Sequence, residues 1–168
     1  LWQILKFNKS SVINEQYIEY NIPKIFLFFI FLQIIFGAFV SGMDAGKIYN
    51  SWPLMGNNYF PDDNNYSNLF KSNTLDDPSL VQFIHRNLAY LILFIFFVIL
   101  YLVISKKLVK FYRIIILLGV ILFFQIILGI YTVLSGAEMF LASMHQISSI
   151  ILISFSIYLL FLNNKQVN

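Results

Sequence analysis

The stretch most informative about the fold is Val81-Gln82-Phe83-Ile84-His85-Arg86-Asn87-Leu88-Ala89-Tyr90. It opens a long apolar run and carries one of the two histidines. The second histidine opens the last apolar run in the same way, within Ser143-Met144-His145-Gln146. Two apolar helices that each begin with a histidine indicate two sides of one ligation site. The occupant that such a pair predicts is a flat metal macrocycle held between helices, which means haem.

The composition indicates an integral membrane protein. Of the 168 residues, 59% are hydrophobic and only 11% are charged, against about 25% charged residues in an ordinary soluble domain. The net charge of +3 does not indicate a nucleic-acid partner, because the basic residues cluster between apolar runs, where they set orientation. The absence of cysteine excludes disulfides, thiolate metal sites and cysteine nucleophiles.

Four apolar runs predict an all-α fold, an integral membrane four-helix bundle. The spans are expected at about residues 25–43, 83–104, 114–134 and 140–162, because about 20 apolar residues cross the hydrocarbon core. Residues 24–168 would form one transmembrane haem-binding domain, after a mixed polar segment at residues 1–23. The chain begins with Leu1 rather than Met and shows no signal-peptide pattern. We therefore interpret it as a fragment, or as one half of something longer.

The positions of lysine and arginine predict the orientation of the bundle. The N-terminal segment, the connection at residues 105–113 and the C-terminal tail carry most of the basic residues. These parts are expected on the cytoplasmic side, or on the matrix side in a mitochondrion. The loop at residues 44–82 and the turn at residues 135–139 would then lie outside, with both termini inside.

The loop at residues 44–82 is the only long polar stretch. Its middle is rich in Asn, Pro and Tyr, which is typical of turns. Structureless loops longer than about 15 residues are usually functional or disordered. The aromatic residues of this loop predict a lid that folds back onto the membrane surface, against the alternative of a disordered hydrophilic loop. They are Trp52, Tyr59, Phe60 and Phe70.

An internal repeat relates the two halves of the predicted bundle. Gln33-Ile34-Ile35-Phe36-Gly37 in the first span resembles Gln125-Ile126-Ile127-Leu128-Gly129 in the third. The second and fourth spans each open with a histidine. We interpret the chain as two repeated helical hairpins, with His85 and His145 as symmetry mates. For the glycines alone, a helix-packing role is the alternative, since small residues let membrane helices approach closely.

The two histidines are expected at the same depth in the membrane. His85 lies 21 residues before Lys106, and His145 lies 20 residues before Lys165, so each is about 30 Å from the inner edge. Matched depth is what a bis-histidine haem requires, and both are candidate ligands of the haem iron. Arg86 would lie at the outer interface, either pairing with a haem propionate or extending to the interface alone. Zinc fits less well, since it needs three or four protein ligands.

Several motifs between residues 37 and 149 resemble those of one membrane enzyme family. In chain order they are Gly37-Ala38-Phe39-Val40-Ser41-Gly42-Met43-Asp44-Ala45-Gly46, Tyr49-Asn50-Ser51-Trp52-Pro53-Leu54-Met55, Asn68-Leu69-Phe70, Val81-Gln82-Phe83-Ile84-His85-Arg86, Leu128-Gly129-Ile130 and Ala142-Ser143-Met144-His145-Gln146. The signature Ala-Gly-x-x-Tyr-Asn-x-x-Pro-Leu-Met at residues 45–55 is the specific one. Together they resemble haem A synthase of the alphaproteobacterial and mitochondrial type, which lacks conserved cysteines.

That resemblance implies an eight-helix oxidoreductase of two four-helix halves, which oxidises a haem O methyl group to the formyl group of haem A. This chain resembles the C-terminal half, which implies haem b as cofactor and His85 and His145 as its iron ligands. The catalytic residues are then expected in the N-terminal half. Residues 73–78 depart from the family pattern.

The resemblance also implies the surroundings of the chain. The expected partners are the lipid bilayer, the N-terminal half, the haem O substrate, haem O synthase and further copies of the chain, and no nucleic acid. The expected location is a bacterial or mitochondrial inner membrane, in the service of cytochrome oxidase assembly.

Two axial protein nitrogens leave a haem no open position for oxygen or substrate. A half that holds such a haem would serve electron transfer or structure rather than oxygen activation. Two other functions stay open at this point. One is a cytochrome b-type membrane anchor or electron-transfer subunit that uses the same two ligands, and the other is a helical scaffold that binds no haem.

Overall fold

Four long helices make up most of the structure. The computed structural model describes residues 17–164, and its helices are α1 (Ile22–Gly42), α2 (Pro78–Ser105), α3 (Tyr112–Leu134) and α4 (Met139–Asn163). Each is long and apolar enough to cross a membrane. Within residues 17–164 the only β-type pairing is one isolated bridge between Met55 and Asn58. The prediction of an all-α membrane bundle is confirmed.

Parts of two sequence predictions fall outside the described residues. Most of the predicted N-terminal segment, residues 1–16, lies outside them, and so does Lys165, the inner-edge reference for His145.

The loop at residues 44–77 contains three short 3₁₀ turns, Ala45–Lys47, Tyr66–Phe70 and Thr74–Asp76. We call the end of the bundle that carries this loop the loop end, and the opposite end, with the α2–α3 connection, the connection end.

Helix α2 begins five residues earlier than its apolar pattern indicates. Pro78 occupies the first turn, where a missing N–H costs nothing, and the Asp77 side chain accepts hydrogen bonds from the backbone of Ser79 and Leu80. Asp77 and Pro78 therefore form the start of this helix, and the turn at Thr74–Asp76 precedes it. His85 lies about two turns inside α2 rather than at its beginning.

Helix α4 begins with a cap of the same kind. The Glu138 carboxylate accepts hydrogen bonds from the backbone N–H groups of Phe140 and Leu141, at 3.1 and 3.0 Å. A carboxylate at this position satisfies donors that the first turn of a helix leaves free. His145 consequently also lies more than one turn inside its helix.

The helices pack as two hairpins joined along one side. α1 packs against α2, α3 packs against α4, and the hairpins meet mainly where α1 lies against α4. The short connection between α2 and α3 contains a 3₁₀ turn, Val109–Phe111. That the two hairpins are copies of one repeated unit stays a prediction.

Most of the buried apolar side chains of the helices form one cluster in the half of the bundle toward the connection end, whereas Leu80 and Val81, also buried, lie in the first turn of α2 at the loop end. The cluster includes Phe26 and Ile30 of α1, Ile92, Ile95, Phe96, Ile99 and Val103 of α2, Ile114, Ile115, Leu118 and Leu122 of α3, and Leu152 and Leu159 of α4. Toward the loop end, residues 31–42, 83–91, 126–134 and 139–151 contain no fully buried side chain. We call these four ranges the histidine layer, because they contain His85 and His145. The main apolar core thus fills only the half of the bundle toward the connection end.

Polar contacts tie the described ends of the chain together at the connection end. The Asn163 side chain accepts a hydrogen bond from the N–H of Ile18 at 2.6 Å and donates one to its carbonyl at 3.1 Å. Glu19 forms an ion pair with Lys106 at 2.6 Å. The segment before α1 and the end of α4 therefore lie at one end of the bundle, as an even number of spans requires.

Leu118→Ala should destabilise the bundle by about 2 kcal/mol. This is near the lower end of the range for buried leucines, because lipid tails are as apolar as leucine and mainly packing is lost. Leu118 is 0% exposed, whereas its neighbour Leu117 is 46% exposed. Leu117→Ala is therefore the matched control and should change stability by less than about 0.5 kcal/mol. Thermal unfolding in detergent measures both, and equal losses would contradict the position of the core.

Candidate functional site

The two histidines lie in the histidine layer on different hairpins. His85 stands on α2 and His145 on α4. Both side chains are half-buried. The Nδ1 atom of each ring is buried and has no hydrogen-bond partner among residues 17–164. Because buried polar atoms ordinarily have partners, each ring carries binding capacity that the described chain does not use.

Each imidazole packs against a glycine of the preceding helix. A Cβ atom on Gly37 of α1 would lie 3.3 Å from Cε1 of His85, and one on Gly129 of α3 would lie 3.1 Å from Cε1 of His145. Both distances are shorter than ordinary van der Waals contact, so any larger residue would press on the ring. The glycine of each Gln-x-x-x-Gly pattern therefore makes room for an imidazole, which adds to the packing role that small residues have between membrane helices.

The two glutamines of the pattern contact the histidines in different ways. The amide nitrogen of Gln33 lies 3.2 Å from Nε2 of His85. Gln125 instead donates to the backbone carbonyl of His145, also at 3.2 Å. The side-chain oxygens of both glutamines are buried without a partner in the described part of the chain. The two glutamines thus occupy equivalent places in the Gln-x-x-x-Gly pattern, but one contacts a histidine ring and the other a backbone carbonyl.

The Arg86 side chain holds the first part of the loop. Its Nη1 donates to the carbonyls of Ser51 at 2.9 Å and Leu54 at 3.3 Å, and its Nη2 donates to the carbonyl of Tyr49 at 2.8 Å. Gln82, about one turn earlier on α2, donates to the same Tyr49 carbonyl at 3.1 Å. The Nε atom of Arg86 is buried and has no partner among the described residues.

The loop also contacts the second hairpin. Asn50 donates to the carbonyl of Val133, near the end of α3, at 3.1 Å. A Cβ atom on Gly46 would lie 3.1 Å from Cβ of Ala137, in the turn between α3 and α4. Residues 46–54 are therefore fastened to both hairpins at the loop end.

A carboxylate organises the polar middle of the loop. Asp63 accepts hydrogen bonds from Ser79 at 2.6 Å, from the Tyr49 hydroxyl at 3.0 Å and from Asn64 at 3.3 Å. Burial by itself would raise the pKa of Asp63, but these hydrogen bonds favour the ionised form and lower the pKa below its ordinary value. Burial and the Asp63 carboxylate raise the pKa of Tyr49. The pair therefore stays a hydroxyl donating to a carboxylate at neutral pH.

The four aromatic residues that predicted a lid fall into two groups. Phe60 and Tyr59 pack on Phe83 of α2, with ring centroids 4.9 and 5.7 Å apart. Trp52 and Phe70 are exposed, Phe70 at 91%. Tyr59 and Phe60 thus anchor the loop to α2, and polar contacts provide the rest of the attachment of the loop.

Comparison with known proteins shows the family. The family model described as cytochrome oxidase assembly protein matches residues 2–157. The chain is 42% identical to the haem A synthase of Pelagibacter ubique (strain HTCC1062), over 98% of this chain and 48% of that protein. It is 34% identical to the haem A synthase of Rickettsia felis, over 96% of this chain and 49% of the relative. The chain belongs to the haem A synthase family.

The similarity covers only part of each relative. The haem A synthase of Rickettsia akari is 35% identical over 98% of this chain and 50% of its own length. The chain therefore spans about half the length of the curated haem A synthases that it matches. No solved structure matches it significantly.

For this member of the haem A synthase family, the sequence located the histidines but not the way they are held. The Gln-x-x-x-Gly pattern pointed to the glycines that the rings contact. It did not reveal that Gln33 contacts an imidazole while Gln125 contacts a backbone carbonyl. The role of Gln82 beside Arg86 was also missed, although their spacing of four residues places both on one helix face.

Gly37→Ala and Gly129→Ala should each destabilise the protein by about 1 kcal/mol or more, because the new methyl group presses on an imidazole. Gly42→Ala is the matched control, since nothing lies within 4 Å of a Cβ at that position of α1. It should be neutral or slightly stabilising, because alanine favours helices over glycine. Thermal unfolding in detergent, with NMR of the histidine ring, measures the effect. Unshifted ring signals in the first two variants would contradict the ring–glycine contacts.

Proposed function

We propose that this chain is the haem b-binding half of a haem A synthase-like enzyme, with the haem iron held between His85 and His145. One observation carries the proposal: two histidines from different hairpins both lie in the histidine layer, the part of the described helices that contains no buried side chain. The ring–glycine contacts and the unpartnered Nδ1 atoms support it.

The available donors fit a porphyrin iron better than a bare metal ion. His85 and His145 would hold such an iron, and the macrocycle would supply its other ligands. A structural zinc ion needs four protein ligands and a catalytic one three. Within residues 17–164, no group of three His, Cys, Asp or Glu side chains could hold a metal ion. Ligation through Nε2 of His85 requires Gln33 to release that nitrogen, which costs little because a hydrogen bond between neutral groups is worth about 1 kcal/mol.

The residues of this chain have distinct parts in that site. The imidazoles orient the cofactor, Gly37 and Gly129 make room for them, and residues 46–54 limit the access of water from the loop end. The buried Nε of Arg86 is a donor suited to a carboxylate such as a haem propionate. When bound, a haem with two protein ligands supplies electron transfer rather than oxygen activation.

We assign this half to electron transfer or to structural support of the enzyme. The oxidation of a haem O methyl group to the formyl group of haem A would take place in the part of such proteins that this chain does not span. The partners we propose are that other half, the haem O substrate and the lipid bilayer, with haem O synthase and further copies of the chain as additional candidates.

We place the loop end outside and the connection end on the cytoplasmic or matrix side of a bacterial or mitochondrial inner membrane. The connection and its flanks carry four basic residues and no acidic one, which favours the inner side. They are Lys106, Lys107, Lys110 and Arg113. The loop instead carries more acidic than basic residues: Asp44, Asp62, Asp63, Asp76 and Asp77 against Lys47 and Lys71.

His85→Ala and His145→Ala should each convert a six-coordinate, low-spin haem into a high-spin one, or abolish haem retention. Each variant should still insert into the membrane, because insertion depends on apolar length, which one histidine hardly changes. Absorption spectra and a pyridine haemochrome assay of the purified chain measure the result. Gln146→Ala, at the exposed neighbour of His145, is the control and should keep the low-spin spectrum.

Two outcomes would contradict this assignment. If the purified wild-type chain bound no haem after reconstitution, the scaffold interpretation would hold instead. If one histidine variant kept an unchanged low-spin spectrum, that histidine would not be a ligand, and the symmetric two-hairpin interpretation would be wrong.

A cysteine at Asn58 should react with a membrane-impermeant maleimide added to the outer side of intact cells, because the loop end is expected outside. The chain has no cysteine of its own, so any labelling of the chain comes from the single introduced thiol. Lys107→Cys at the connection end is the matched control and should react only after the membrane is permeabilised. The reverse pattern would overturn the proposed orientation.

A further inference from the structure

We propose that Arg86 is a positioning residue that latches residues 49–54 over the loop end of the bundle, and so sets how fast a cofactor enters and leaves the histidine layer. The latch itself is argued from contacts of the chain. Its effect on cofactor exchange rests on the proposed function.

Among the described residues, the Arg86 side chain donates only to backbone carbonyls of the loop. Its two terminal nitrogens donate to three backbone carbonyls, those of Tyr49, Ser51 and Leu54, which lie within six residues of one another. Hydrogen bonds from a guanidinium are charge-assisted and therefore stronger than those between neutral groups. One side chain thus holds three points of this loop segment to α2, in addition to the contact that Gln82 makes with the Tyr49 carbonyl. Lysine, whose charge is a single point, could not span the three carbonyls in this way.

The latched segment lies between two anchors and across two hairpins. On one side, Asn50 is fixed to Val133 of α3 at 3.1 Å. On the other side, Met55 is buried at 1% exposure and pairs with Asn58 through a backbone hydrogen bond of 2.7 Å. Arg86 holds the part between them to α2, the helix that carries His85. Releasing Arg86 would therefore loosen this segment up to Met55 and expose that buried side chain, without detaching the part of the loop beyond it.

The charge of Arg86 is not neutralised by an acidic residue. Within residues 17–164 the ion pairs are Lys47–Asp44 and Lys106–Glu19, and neither involves Arg86. The half-buried guanidinium is stabilised by carbonyl dipoles alone, and its buried Nε remains without a partner in the same range. An anionic group that reached this nitrogen from the histidine layer would hold the latch closed, which gives a bound carboxylate a direct effect on the loop.

A thiol placed at Met55 tests the latch without any cofactor. Met55→Cys should react slowly with an impermeant maleimide in detergent, and adding Arg86→Ala should raise the rate at least about tenfold, because several charge-assisted hydrogen bonds are lost. Arg86→Lys should also raise it. Lys47→Ala is the matched control: it removes a loop cation whose ion pair with Asp44 is exposed, and the rate should not change. An unchanged rate in Arg86→Ala would overturn the latch.

Haem transfer to excess apomyoglobin tests the effect on exchange. Arg86→Ala should release haem at least about tenfold faster than wild type, while its low-spin spectrum shows that both histidines still ligate. Haem dimethyl ester separates the latch from pairing with a carboxylate. With the latch, the variant releases the ester faster than wild type does. If wild type and variant released the ester at one rate, Arg86 would act only through a carboxylate, and its role in exchange through the latch would be overturned.

The two tests fail independently. A wild-type chain that binds no haem would overturn the proposed function, but the labelling result would still decide whether Arg86 latches the loop. Arg86→Gln serves as a second variant if Arg86→Ala does not insert, since its amide has only two N–H donors on a shorter side chain and cannot keep all three contacts. Faster labelling in Arg86→Gln would support the latch, and unchanged labelling would overturn it.

Discussion

The close contact between each imidazole and a glycine of the neighbouring helix is the constraint on which the loop half of the bundle depends. Gly37 and Gly129 place the His85 and His145 rings where larger residues would meet them at about 3 Å. In a membrane, helices gain little by hiding apolar surface from one another, because lipid tails are equally apolar. Close packing therefore decides which surfaces meet. Here it sets two imidazole rings against glycines toward the loop end, while the main apolar core fills the half toward the connection end.

The two halves of the bundle differ in what they contribute. The packed half holds the helices together, and the histidine layer contains most of the buried polar side-chain atoms that have no partner in the described chain. Toward the connection end, side chains such as Ile99 and Leu118 are fully buried and hold the four helices together. Contacts of Ile18, Glu19 and Asn163 reinforce that end. The histidine layer can then keep partly buried rings and unpartnered polar atoms without loss of the fold. Such atoms are costly to bury, so they mark the place where a bound group would add the missing partners.

The loop completes this arrangement from the other end. Asp77 caps α2 and Pro78 opens its first turn, which together set how deep His85 lies in its helix. Asp63 ties the middle of the loop to that same first turn through Ser79. Arg86 fastens the earlier segment to α2, and Asn50 fastens it to α3. One loop therefore connects both hairpins at the loop end of the bundle.

The sequence by itself determined the four spans, the family and the two histidines, because apolar length and residue type are local properties that need no knowledge of contacts. Its Gln-x-x-x-Gly repeat also pointed to the two glycines. Only the tertiary structure decided that α2 begins at Pro78, that Gln33 and Gln125 have different partners, and that Arg86 donates to loop carbonyls. The placement of the main apolar core in one half was equally beyond the sequence, since all four spans are similarly apolar along their length. These features depend on distances between residues far apart in the chain, and a one-dimensional pattern does not specify which of several apolar faces meet or which carbonyls a long side chain can reach.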